Sequence, residues 1–304
     1  MYLLHRRFVI TVIFALLLGF ALPAFAINFI NNCSDVPSAA GTWFGTCPPY
    51  DNSETNWEGD VLPGPTDNAV LGAEYGPVNV NSYPSEATVM SVQAMGGLVI
   101  DYHSYGIILT NGGSTIEGLQ MGPGNITAES GVIVSLLGSS SLWGYVNGPG
   151  TFDNSGTISM NGCKLWNAGV LVNNGSATHT SGIFQLGDGN TVFVNTGSYE
   201  VSGTAGDIRG GGSLFANNGS FTLNQPGDTF PLSPDYEQRG SLLVEAGTFH
   251  LNSVNVDFIS GSVTVNSGAT LKLSTNQSNP YHVCSGAISM SGDGTVENYV
   301  ALRA

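Results

Sequence analysis

Positive charge is scarce in this sequence. Seven Lys+Arg stand against 22 Asp+Glu in 304 residues, a formal net charge of −15. Binding to phosphate backbones relies on basic side chains that displace condensed counterions, so nucleic acid and anionic membrane surfaces are excluded as natural partners. Charged residues of both signs reach only 10%, too few for a coiled coil or a salt-bridged helical array. Helical periodicity is missing as well. Beyond Ala26 no segment keeps a 3.6-residue apolar stripe over about 11 residues, and no apolar run approaches the roughly 20 residues of a membrane span. HExxH, CxxC, G-x-S-x-G and phosphate-loop patterns do not occur. His103, His179, His250 and His282 stand apart from one another and from the cysteines. Neither a metal site nor a cofactor is expected.

Glycine is abundant, at 42 of the 304 positions, and asparagine often stands beside it. Glycine follows no three-residue period, which excludes collagen. Apolar residues make up 41% of the chain, enough to bury a core.

The segment 1–26 reads as an export address. His5, Arg6 and Arg7 precede the apolar run Phe8–Leu22, and Pro23 leads into Ala24-Phe25-Ala26. A basic start, a short apolar core and an A-x-A end define a cleaved secretory signal. The expected location is therefore secreted or cell-surface, with no membrane span in the mature chain.

From about residue 150 the chain repeats itself. The pieces include Val172-Asn-Asn-Gly-Ser, Val194-Asn-Thr-Gly-Ser and Ala216-Asn-Asn-Gly-Ser, with the shared glycine at 156, 175, 197, 219, 247 and 268. The intervals are 19, 22, 22, 28 and 21 residues. Near-constant spacing of this size means stacked structural units. Within each unit, Val, Ile, Thr and Phe alternate with polar residues as in half-buried strands, and Asn-Gly or Ser-Gly stands between. Antiparallel hairpins would use the same turns, but they have no reason to repeat at this interval. The spacing predicts an all-β, right-handed parallel β-helix, a solenoid of about 20–22 residues per coil over residues 69–304. Each coil would have three short strands and three corners. About eleven coils at roughly 4.8 Å each give a rod on the order of 50 Å long. The long 28-residue interval contains the proline-rich stretch Gln225–Gly240. It predicts an insertion loop near 226–239 that leaves one corner, with Phe230, Tyr236, Asp228 and Arg239 as candidate binding residues.

Residues 27–68 differ in composition, with Cys33, Cys47, Trp43, Trp57 and five prolines. An open first coil needs a cap, and this block is the candidate. Trp43 and Asn56-Trp57-Glu-Gly-Asp-Val-Leu-Pro63-Gly-Pro-Thr-Asp67-Asn-Ala-Val resemble the lead-in segment of bacterial secreted β-helix proteins such as autotransporter passenger domains and related surface adhesins. The match is confined to the stretch from Trp43 to Val70, and the Asn/Ser-Gly-Thr repeats are similar to the same group. The resemblance implies a β-helix with an adhesive or structural role that contacts glycans, surfaces or cell-surface proteins. One departure is plain: nothing in the sequence supplies the amphipathic strands of the membrane β-barrel that autotransporters carry at the C-terminus. Val296–Ala304 is still repeat-like, which fits a truncated gene, a free secreted relative, or a chain whose last coil stacks on a partner, end-to-end or at the C-terminus.

The solenoid also orders the four cysteines. Cys163 and Cys284 would lie about five coils apart, roughly 25 Å, well beyond the ~7 Å that a disulfide spans. The expected bridge is Cys33–Cys47, with Cys163 and Cys284 unpaired.

Many β-helices degrade polysaccharides, so an enzyme is the alternative. Glycoside hydrolysis needs carboxylates converging on one face. Asp188, Asp207 and Asp228 fall near one-coil intervals and form the best such cluster. The plainer account places each Asp at a corner, bonded to its own backbone. Sugar-stacking aromatics are available in Tyr102, Tyr105, Trp143, Tyr145 and Trp166, although core packing or ring stacking within the solenoid is the plainer account of each. An ice- or mineral-binding surface would need regular threonine ranks, and no consistent T-x-T rank is legible.

Overall fold

The structure is a computed structural model that describes residues 25–28, 63–72, 78–80, 87–100, 106–187, 189–253, 255–274, 281–299 and 301–303. Residues 1–24 of the expected leader, residues 29–62 of the expected cap with Cys33 and Cys47, Tyr102, Tyr105 and Asp188 lie outside this set.

The described chain is all strand and turn. One coil shows how the sequence makes it. Thr151–Asn154, Thr157–Met160 and Lys164–Trp166 are three short strands, and Val170–Asn173 opens the next coil directly above the first strand. In each strand alternate residues point inward, as with Phe152, Ile158 and Leu165, all buried. Such period-2 burial is the signature of a pleated strand with one face on a core. Every pairing among the described residues is parallel, so the strands build ladders along the axis. The first ladder has thirteen strands in one sheet. The second and third ladders merge into one eighteen-stranded sheet. They merge because four long strands, Ser176–Leu186, Ser198–Arg209, Ser220–Leu232 and Ser241–Asn252, run through the corner between them. From the strand Asp67–Leu71 onward, successive coils of the first ladder are offset by eighteen residues (Ile133 to Thr151) to twenty-six (Asp257 to Val283). The architecture is therefore the parallel β-solenoid that the spacing predicts, with three strands and three corners per coil.

Two interior columns hold the coils in register. Aromatic rings stack along the axis: Phe193 on Phe215 at 4.8 Å between centroids, Tyr199 on Phe221 at 5.3 Å, and Phe221 on Phe249 at 5.0 Å. Each buried ring contributes about 1.5–3 kcal/mol of burial, and the aromatic pairings add to it. The second column is polar. Asn154, Asn173, Asn195, Asn217 and Gln238 are all fully buried where the first ladder turns into the second. Each amide donates to the side-chain oxygen one coil on, at 2.7, 2.8, 2.8 and 3.0 Å along the series. The same nitrogens of Asn173, Asn195 and Asn217 also donate to the carbonyls of Ser198, Ser220 and Ser241. Buried amides satisfied in this way fix the register.

The proline-rich stretch departs from expectation. Residues 226–239 do not form a loop. Phe230 lies in the strand Ser220–Leu232 and Tyr236 in Asp235–Gln238, with 0% and 1% exposure. Only Pro226–Thr229 stand exposed as a group, where four residues of this strand (225–228) stand opposite one of its neighbour (Gly247), between the partner pairs Asn224–Ala246 and Thr229–Thr248. The cause lies in how the repeat is aligned. The glycine that stacks on Gly219 is Gly240, not Gly247, and the next is Gly261, not Gly268. With these the interval is equal from Gly219 to Gly240 and from Gly240 to Gly261, and no coil needs a long excursion. Gly247 and Gly268 belong to a different corner, between the second and third ladders, where both have positive φ.

At the other end, Phe25–Asn28 pairs with Asp67–Leu71 and adds a strand to the first ladder. This strand spans the expected processing point after Ala26. The turn within the resemblance segment is well built. Gly64 N donates to Asp67 Oδ2 at 2.9 Å, and Asp67 N returns to Gly64 O at 3.0 Å, just as the strand begins. Among the described residues, no helix is long and apolar enough to cross a membrane.

Candidate functional site

A solenoid repeats its outer surface as regularly as its core. On the second ladder the outward residues fall into two columns. The first column reads Ser139, Thr157, Ser176, Ser198, Ser220, Ser241, Ser262 and Ser289, one per coil over eight coils. The second column, two residues on, reads Ser141, Ser159, Thr178, Glu200, Thr222, Leu243, Thr264 and Ser291. None of these side chains is buried. At about 4.8 Å between coils and about 6.7 Å between alternate residues, they form a grid of hydroxyls roughly 34 Å long. Some hydroxyls link along the column: Thr157 donates to Ser139 at 3.0 Å and Ser198 to Ser176 at 3.1 Å. Glu200 is the one ionisable side chain in these two columns.

A pattern read along the chain does not single these residues out, yet a signal for them exists. Seven of the first column directly follow a glycine of the stacked series, from Gly138-Ser139 to Gly261-Ser262. The expectation that no regular threonine rank exists is not overturned, because these hydroxyl columns are built mainly of serine. The S/T-x-S/T pairs become visible only when coils are aligned at Gly240 and Gly261, and serine dominates them where the expectation looks for threonine.

The acidic cluster is partly assembled. Asp207, Arg209 and Asp228 line one cleft of about 440 Å³ together with Ile183, Thr204 and Pro231. Within it Arg209 Nε donates to Asp207 Oδ2 at 2.6 Å, so the guanidinium is committed to that carboxylate. The four candidate binding residues do not form a site. Phe230 and Tyr236 are in the core, where the Tyr236 hydroxyl donates to Gln238 Oε1 at 2.5 Å and burial drives its pKa upward. Asp228 is at the corner between the second and third ladders. Arg239 follows the first-ladder strand Asp235–Gln238 and pairs with Glu237 Oε2 at 3.0 Å.

Beneath the cleft, buried His179 sets its Nε2 2.9 Å from the Gly182 carbonyl. A carbonyl only accepts, so Nε2 carries the proton, and Nδ1 faces the Tyr199 hydroxyl at 3.4 Å. Burial holds the His179 pKa below its ordinary value, with the Gly182 bond and the Asp207 charge opposing. Cys163 is buried, and the loss of solvation pushes its pKa up to about 12, which keeps it a thiol. It is unpaired, as is Cys284. Among the described residues, no three His, Cys, Asp or Glu side chains gather as a metal site would require.

The fold and this surface define the class: a parallel β-solenoid whose outer face carries an extended, nearly uncharged hydroxyl array. No protein family, curated protein or solved structure matches the chain.

Proposed function

We propose that this protein is an exported adhesin-like or structural β-solenoid that binds glycans without catalysis through the outer face of its second ladder. The hydroxyl column from Ser139 to Ser289 carries the reading. A row of short hydroxyls that both donate and accept suits a polymer that itself presents hydroxyls at regular intervals. Each contact is worth only about 0.5–1.5 kcal/mol net, so useful affinity comes from many contacts made in register along an extended ligand. The basic, apolar start of the chain supports export, and the lead-in resemblance supports a surface setting.

Co-sedimentation of the full chain with insoluble cellulose, xylan and chitin tests the reading. Binding to at least one is expected. Replacing exposed Ser198 and Ser241 with lysine should weaken it tenfold or more without moving the melting midpoint. Unchanged binding by that double variant would remove the second ladder from the account. A second reading, a polysaccharide-active enzyme, is favoured by the Asp207–Asp228 cleft. Release of reducing or unsaturated ends from the same polymers, abolished by Asp228→Ala, would establish it over the non-catalytic one.

A further inference from the structure

The third ladder has an outer face of different chemistry. Tyr145 and Lys164 are register partners on it, as are Asn147 and Trp166. Their strand neighbours Val146 and Leu165 are buried, so these four side chains point outward. The six-membered ring of Trp166 lies across the α-carbon of Gly187 one coil on, where any side chain would collide with it. Trp143, at the corner beside them, is 59% exposed. Its Cδ1 lies 3.1 Å from where a Gly162 side chain would begin, so this ring also rests on a glycine of the next coil. Both tryptophans are spread against backbone and are not inserted in the core.

Lys164 stands among these rings. Its Nζ donates to the Tyr145 hydroxyl at 2.9 Å and lies 4.6 Å from that ring's centroid. The ion pairs among the described residues are Arg209–Asp207 and Arg239–Glu237, so Lys164 has no carboxylate partner there. An ammonium positioned by a phenol and left without a carboxylate partner among the described residues is complementary to an anion. Flat rings around it are complementary to the C–H faces of a sugar. We propose that Trp143, Tyr145, Lys164 and Trp166 form a binding site for an acidic saccharide, with Lys164 meeting the sugar carboxylate. A charge-assisted bond of this kind is stronger than a neutral one, and the rings supply apolar contact at little entropic cost. The proposal rests on the glycan-binding reading and adds to it a preference for uronate-type sugars.

Calorimetric titration of the full chain with a β-1,4-linked glucuronate hexamer and with its carboxyl-reduced form, cellohexaose, tests it. The wild type should bind the uronate form at least tenfold tighter, and added salt should narrow the gap. Lys164→Met should erase the preference while leaving cellohexaose binding in place, and Lys164→Arg should retain most of it. Trp166→Ala should weaken both ligands. Circular dichroism of each variant checks that the solenoid is intact. Equal binding of both hexamers by the wild type, or a preference that survives in Lys164→Met, overturns the proposal. Failure to bind either hexamer while the chain still sediments with polysaccharide overturns this site alone. Failure of both assays removes the glycan reading with it.

Discussion

Among single residues, the interior amides carry the sharpest consequence. Asn195 accepts from Asn173 and donates to Asn217, both buried. Asn195→Ala leaves a buried donor on one side and an under-satisfied acceptor on the other. At about 1–3 kcal/mol for each unsatisfied group, the expected loss is on the order of 3 kcal/mol, read as a lower denaturant midpoint. His179 makes a second prediction. Its folded pKa is held below the unfolded value of about 6.5 by burial. The unfolded chain therefore takes up a proton first as pH falls, and the stability due to this group is full above about 6.5 and lost below it. Between pH 7 and pH 5 the wild type should lose more stability than His179→Gln, measured by denaturation at each pH. Equal losses would mean that the ring protonates freely in the folded state.

Within the coil, the corners separate two reasons for glycine that look alike in sequence. At Gly219 a Cβ would strike the carbonyl oxygen of Gly197, a backbone atom that cannot move without unstacking the coil. At Gly268 there is open space, but φ is +80°, which costs an L-residue roughly 1–2 kcal/mol. Gly219→Ala is therefore expected to lower the thermal midpoint by clearly more than Gly268→Ala. A reversed order would contradict the stacking at this corner. The same distinction explains why the repeat is misaligned when read along the chain. Ala216-Asn-Asn-Gly-Ser and Val244-Glu-Ala-Gly-Thr share a strand-then-glycine pattern, yet they turn different corners. Phe230 and Tyr236 depart from expectation for a related reason. Prolines suggest a loop, but Pro231 occupies an outward position between the inward Phe230 and Leu232, and the strand accommodates it.

For the molecule as a whole, the rod separates residues by coil. Cys163 lies in the coil of Thr151–Trp166, and Cys284 follows the first-ladder strand Tyr281–Val283 near the far end. In the native protein a maleimide should modify partly exposed Cys284 and spare Cys163, with both labelled after unfolding, as read by peptide mapping. A Cys163–Cys284 bridge would contradict the stacked architecture. The rod also turns a local repeat into a surface. One serine per coil means little in a single turn, but eight in line make a ligand-sized array.

Read alone, the amino-acid chain settles the class of fold. Alternating apolar positions and a near-constant glycine interval leave few other ways to satisfy the backbone, and both signals are local or periodic. The acidic, sparsely charged composition and the separation of Cys163 from Cys284 are legible in the same way. Which glycine stacks on which is not, because two corners share one local chemistry and differ only in what lies a coil away. The one-coil spacing of Asp207 and Asp228 points to the cleft they share, but for the same reason the folded chain was needed to show that Phe230 and Tyr236 are core and that Lys164 stands against the outward, half-buried Tyr145 ring. Each of these is a relation across coils, set by register and invisible to a pattern read along the chain.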